Sequence, residues 1–210
     1  DLQQLDAQEM IELICRAGIV GLGGAVFPTS PKLSRGKMYG IDTLIINGVE
    51  CEPYITCDDI LMRNSAAEVL RGSGYLQRIL QPQKTLIAIE DNKPEAINAM
   101  TAALAQSGLT KTEIVAIPTI YPSGGEKQLI QILTGKEVPH GQLAFDIGLF
   151  CQNVGTCVAI TRALEQDQPL ISRIVTISGD NIRQPGNWEV ALGTPIRHLV
   201  ELAGGYLHDD

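Results

Sequence analysis

The sequence predicts an α/β fold: a parallel, doubly wound sheet followed by the opening of a small β-grasp-like domain. Three observations carry this. Short aliphatic runs at 42–47, 85–89 and 113–117 alternate with segments of helical periodicity, the pattern of consecutive strand–helix units. Two glycine-rich turns, Gly21-Leu22-Gly23-Gly24 and Ser123-Gly124-Gly125, punctuate that alternation where backbone N–H groups are free to face an anion. Near Leu170 the alternation gives way to two strands and a helix.

Each element follows from its residues. Residues 7–17 place apolar side chains at helical spacing, and Gly18 is a natural stop. Asp42 to Asn47 reads as a buried strand. Asp58 is placed to cap a helix running to about Leu70, with Gly72 and Gly74 ending it. Thr85–Ile89 is a second strand, and Lys93–Gln106 a helix with Pro94 in its first turn and Gly108 after it. Glu113–Ile117 is a third strand, and Glu126–Leu133 a short helix. Beyond Glu165-Gln166-Asp167-Gln168-Pro169, Arg173–Ser178 and Trp188–Val190 read as strands, and Thr194–Leu202 as a helix closed by Gly204-Gly205. The expected division is therefore 1–169 and 170–210.

The composition narrows the function classes. At 210 residues and 44% hydrophobic, the chain has material for one good-sized core and an appendage. A net charge of −8 without basic runs argues against nucleic acid. No apolar stretch reaches membrane-spanning length. The first residues, Asp-Leu-Gln-Gln-Leu-Asp, show neither Met nor a signal-peptide pattern, as expected of a piece of a longer protein. Five cysteines, Cys15, Cys51, Cys57, Cys151 and Cys157, include no C-x-x-C pair. They fit a reducing compartment and buried small side chains better than disulfides, a zinc ribbon or a local cluster.

Four segments offer chemistry. Gly21, Gly23 and Gly24 with Phe27 and Lys32 form a cradle: close backbone approach, a ring to pack and a cation to donate. A dinucleotide fingerprint needs a strand before it and a helix after it, whereas here a helix precedes and Pro28 and Pro31 follow, so the loop is expected to stay open. Asn47, Glu50 and Glu52 follow the first strand, where open α/β sheets bind ligands. Gly124, Gly125 and Glu126 open a helix whose N-terminus favours an anion, with Ser123 and Glu126 alternatively forming a capping box. Asn153 and Thr156 supply an amide and a hydroxyl beside Gly155, or a helix cap. His140, His198 and His208 have no ligand spacing, and neither metal ligands nor a catalytic acid or base are assigned.

In order and spacing these segments resemble the flavin-binding fold shared by the NADH-oxidising subunit of complex I and the C subunits of Rnf complexes. The complex I pattern G-R-G-G-A-G-F-P-T-G-L-K matches Gly21 to Lys32, G-L-G-G-A-V-F-P-T-S-P-K. N-A-D-E-S-E-P matches Asn47 to Pro53, Y-I-C-G-E-E matches Tyr121 to Glu126, and N-N-V-E-T matches Gln152 to Thr156. Leu22, Val49 and Gly125 depart from complex I and lean toward the Rnf branch. The residues from Val175 resemble the soluble-ligand-binding β-grasp domain of the same family.

The resemblance implies FMN as cofactor and NADH as substrate, in a flavoprotein oxidoreductase of the ion-translocating NADH:ferredoxin type. It implies [4Fe-4S] clusters outside these residues, passing electrons to partner subunits of a complex on the cytoplasmic side of the bacterial inner membrane. Gly21, Gly23, Gly24, Phe27 and Lys32 would then line the flavin and its phosphate. Asn47, Glu50 and Glu52 would hold ribityl or nucleotide hydroxyls. Tyr121, Gly124, Gly125 and Glu126 would lie against the isoalloxazine, and Asn153 with Thr156 would complete the phosphate pocket. A cobalamin reductase of the same family and a flavin-free adaptor remain alternatives.

Overall fold

A computed structural model of the chain describes residue 2 and residues 4–208. In chain order the elements are α1 (Ala7–Arg16), α2 (Thr29–Tyr39), β1 (Thr43–Gly48), α3 (Cys57–Leu80), β2 (Lys84–Glu90), α4 (Pro94–Ser107), β3 (Thr112–Ile117) and α5 (Glu126–Thr134). A 3-10 turn (Ala144–Ile147) then leads into β4 (Leu149–Asn153), α6 (Val154–Gln166), β5 (Ser172–Ile177), β6 (Gly186–Ala191) and α7 (Ile196–Leu202). Asp6 starts α1 as a capping box, accepting from Gln8 and Glu9 N–H while its own N–H donates to the Glu9 carboxylate.

The first four strands form one parallel sheet in the order β3-β2-β1-β4. Alternation along β1 sorts the core into two layers. Leu44 and Ile46 pack with α1–α4 and α6, whereas Ile45 packs with Leu129 and Ile130 of α5. Helices thus cover both faces, as a doubly wound sheet requires. The chain steps outward from β1 to β2 and β3, then returns to the other side of β1 for β4. Strand order therefore reverses between β1 and β4, whose carboxyl ends flank a crevice. The β5–β6 hairpin is antiparallel and separate, with Val175 opposite Trp188.

Four local expectations are corrected. The stretch around Pro28 and Pro31 is not open: α2 starts at Thr29, because a proline in the first turn lacks only an N–H that the helix leaves unbonded anyway. Gly72 and Gly74 do not end α3, which continues to Leu80 with one non-helical residue, Ser65. Gly72 is a contact point instead, since any Cβ there would run into the backbone carbonyl of Cys157 on α6. Asp58 is not the cap of α3; the N-cap is Thr56. Nor do Ser123 and Glu126 form a capping box, because α5 is capped by Gly125 without a side-chain bond. β4 and α6 have no counterpart among the predicted elements beyond the cap at Asn153. That cap is present, with Asn153 accepting from Gly155 N–H at 2.8 Å.

Candidate functional site

The crevice between β1 and β4 is where an open α/β sheet receives a ligand. Asn47 near the end of β1 is the register partner of Asn153 at the end of β4. Across them lies the glycine loop, closed at its base by a bridge between Val20 and Pro28 and by Gly21 N–H donating to Phe27 O at 2.9 Å. Leu22 N–H donates to Thr156 Oγ1 at 2.9 Å, which ties the loop to the start of α6. Gly23 passes so near Asn153 that an added Cβ would stand 3.2 Å from the Asn153 Cβ. With these ties made, the N–H groups of Gly23, Gly24 and Ala25 have no hydrogen-bond partner among the described residues, and all three residues are exposed.

The turn after β3 joins from the other side. Asn47 Nδ2 donates to Gly124 O at 2.9 Å, and Gly124 N–H donates to Cys51 Sγ at 3.3 Å. A Cβ at Gly124 would lie 2.6 Å from Val49 O, so the close approach needs glycine. Lys32, in the first turn of α2, donates to Cys151 O at 2.6 Å and to Glu126 Oε2 at 3.3 Å, with Nζ 5.0 Å from the centre of the Phe150 ring. The structure therefore gathers Gly21, Gly23, Gly24, Lys32, Asn47, Gly124, Glu126, Asn153 and Thr156 around one crevice. Gly125 stands beside them as the cap of α5, its N–H already bonded to Pro122 O. Phe27 and Tyr121 are exposed aromatic rings on the loops that frame the crevice, at 50% and 68%. Val26, beside Phe27 in the glycine loop, and Tyr54, in the loop after β1, have φ of 53° and 68°, an uncommon conformation for side-chain-bearing residues.

The two acids after β1 separate. Glu52 is exposed, and its side chain makes no hydrogen bond among the described residues. Glu50 is buried, and its two oxygens accept from Asp58 N–H at 2.8 Å and Asp59 N–H at 3.1 Å. Its carboxylate thus satisfies the open N-terminus of α3, the role that sequence reading gives to Asp58. Asp58 in turn accepts from Asn153 Nδ2 at 2.6 Å. Burial, followed by the neighbouring Glu50 charge, pushes Asp58 up to about 7, against the bond from Asn153. Cys57 is pushed up to about 12 by burial and then by the Asp58 and Glu50 charges, and burial pushes Cys151 up to about 12. Both are therefore thiols at neutral pH and poor nucleophiles. Glu50, Cys57 and Asp58 bring their ligand atoms within 4.8 Å of one another. The two carboxylates are already committed to hydrogen bonds, Glu50 from Asp58 and Asp59 N–H and Asp58 from Asn153, as in a hydrogen-bonded acid cluster.

The donor set fits a phosphorylated aromatic cofactor such as FMN. It combines open amides on a glycine loop, exposed rings at the rim and a lysine at the base. The buried polar atoms Thr29 Oγ1, Ser123 Oγ and Gln152 Oε1 have no partner among the described residues, and each belongs to, or adjoins, one of the segments around the crevice. Sequence reading gives Thr29, Cys51, Asp58 and Lys93 no place in the site, although it names Asp58 as a helix cap. Lys93 is a buried cation bonded to Glu90 at 2.7 Å and to Glu50 O at 3.1 Å. Its signal is Glu90 three residues before it, at the carboxyl end of a strand.

Comparison with known proteins agrees with the geometry. Residues 14–162 match the Nuo51 FMN-binding domain family, and residues 174–209 match the SLBB domain. The chain is 54% identical over 97% of its length to the C subunit of an ion-translocating oxidoreductase complex from Erwinia tasmaniensis, covering 25% of that protein. It is likewise 54% identical over 97% of its length to the proteins of the same name in Serratia proteamaculans and Yersinia enterocolitica, covering 29% of each. The chain thus spans between a quarter and a third of the length of these relatives. A solved NAD+-reducing [NiFe]-hydrogenase in its air-oxidised state superposes with a TM-score of 0.82 over 96% of this chain and 39% of that one, at 24% identity. Its H2-reduced state gives the same TM-score at 23% identity. That likeness shows a shared fold. The chain belongs to the Nuo51 FMN-binding domain family, with an SLBB domain following, and is similar to the C subunits of ion-translocating oxidoreductase complexes.

Proposed function

We propose that the β1–β4 crevice binds FMN and that the chain is the NADH-oxidising part of an electron transport subunit. The observation that supports this most is the set of open amides at Gly23, Gly24 and Ala25, held over a crevice in which Asn47, Asn153 and Thr156 are already paired. Bound FMN supplies the conversion of a two-electron hydride donor into single electrons. The chain's residues bind and orient it. The loop amides and Lys32 would hold the phosphate, since all are donors and the loop can approach closely. Asn47 and Asn153 would face the ribityl chain from the two strand ends. Phe27 and Tyr121 would pack against the ring system, with Gly124 giving it room. Glu50 works indirectly, by fixing the start of α3 beside Asn153.

The remaining steps rest on similarity to those relatives. NADH would be the hydride donor, iron–sulfur clusters elsewhere in the longer protein would take the electrons, and partner subunits of a membrane complex would receive them. A peripheral position on the cytoplasmic face of that membrane belongs to the same reading; among the described residues no helix is long and apolar enough to cross a membrane. The division at 169/170 belongs to the same proposal. The test is to load the chain with FMN under anaerobic conditions and add NADH. Loss of the oxidised flavin's visible absorbance supports the reading. FMN that binds but stays oxidised would show that NADH is not the donor.

A further inference from the structure

The β5–β6 hairpin lies outside the parallel sheet, yet it is bonded into the crevice. Thr56, the N-cap of α3, donates its N–H to Thr176 Oγ1 at 3.0 Å and accepts from Asn187 Nδ2 at 2.8 Å. Thr176 Oγ1 donates onward to Asn187 Oδ1 at 2.7 Å, so the three residues close a ring at the start of α3. On the α6 side, Arg162 donates to Glu189 of β6 at 3.0 Å and to Glu68 of α3 at 2.9 Å.

Between these ties lies a small cavity of about 60 Å³, lined among others by Leu22, Cys57, Asp58, Gly155 and Arg173. Arg162 lines it too, but its charge is met by two carboxylates. Arg173, on β5, is ion-paired with none among the described residues. Its Nη2 donates to Leu22 O over a long 3.4 Å, and its Nε is buried with no partner there. A buried guanidinium N–H without a partner is costly unless nearby charge or dipole offsets it, and Arg173, half-buried as a whole, has one at Nε. Two acids line the same cavity: Glu189, already held by Arg162 and Ser172, and Asp58, the partner of Asn153.

We infer that Arg173 is a positioning residue of the cofactor site, acting through two groups that touch the ligand. Its donor holds the Leu22 carbonyl, and so the glycine loop. Its charge offsets Asp58, and so keeps Asn153 oriented. This rests on the FMN reading of the crevice and extends it: a residue of the hairpin that opens the second domain sets the affinity of the domain before it. The charges acting on Asp58 agree, since Glu50 and Glu52 oppose its ionisation and Arg173 favours it.

The test is FMN affinity, read from quenching of flavin fluorescence, for the wild-type chain, Arg173→Leu, Arg173→Lys and the double variant Arg173→Leu/Asp58→Asn. Near-ultraviolet circular dichroism of Trp188 reports whether the hairpin stays folded. Arg173→Leu is expected to bind about tenfold more weakly with the Trp188 signal kept. Arg173→Lys, which keeps the charge but loses the fork, is expected to fall between the two. The double variant is expected to recover part of the loss, because an asparagine in place of Asp58 needs no counter-charge and still accepts from Asn153. A packing role would give no such recovery. Should Arg173→Leu fail to fold, Arg173→Lys decides, with about threefold weakening expected. Wild-type binding with Arg173 variants within about twofold of it, or no recovery on neutralising Asp58, overturns the inference alone. Failure of the wild-type chain to bind FMN overturns both proposals.

Discussion

Asn153 links three parts of the site: the start of α6, Asp58 of α3 and the glycine loop. It caps α6, accepts at its carbonyl from Gly155 N–H, donates to Asp58 and lies against Gly23. Its replacement by alanine removes a helix cap and strips the half-buried Asp58 of its donor. A loss of about 1–3 kcal/mol in stability is expected, measured by denaturant unfolding. Asp58 gives a prediction in pH. Its folded value of about 7 lies above the ordinary 3.8, so the folded chain holds a proton that the unfolded chain releases. Stability from this group is full below the ordinary value, falls as pH rises toward 7, and then levels off. The advantage of Asp58→Asn over the wild type should therefore grow between pH 5 and pH 8, by on the order of 5 °C in melting temperature. An equal gap at both pH values would contradict the assignment. Glycines and amides are legible as residue types, since the groups that gather around the crevice stand out along the chain. The split between Glu50 and Glu52 is not, because it depends on where α3 begins in space.

The elements show where tertiary contact overrides local signals. Gly72 and Gly74 look like a helix stop, and locally they are poor helix formers. α3 passes through them because α6 crosses there at a distance that only glycine tolerates, against the Cys157 carbonyl. Gly72→Ala is accordingly expected to cost about 3 kcal/mol, well beyond the small gain alanine brings to an ordinary helix, as chemical denaturation would show. Gly74→Ala is the control, since its Cβ would meet only Leu109 at 3.4 Å and should be close to neutral. α2 escapes sequence reading because two prolines obscure its first turn. β4 escapes because a five-residue strand with four successive residues buried carries no alternation to detect. The strands β1, β2 and β3 are legible for the opposite reason: each aliphatic run sits between clear helix punctuation.

At the scale of the molecule, strand order makes the site. Residues separated by more than a hundred positions meet because β4 returns beside β1, and the glycine loop is drawn to that junction by Thr156. The chain carries the ingredients in order, while the pairing of β4 with β1 supplies the place. The hairpin then closes one side through Arg173, Thr176 and Glu189. If this architecture is a flavin site, the ligand stabilises the folded chain as a whole. Thermal unfolding with and without excess FMN measures that directly. At about a hundred times its dissociation constant, FMN should add roughly 2.7 kcal/mol and raise the midpoint by several degrees, a shift that Lys32→Ala with Glu126→Ala should abolish. A folded chain whose midpoint ignores FMN would contradict the account.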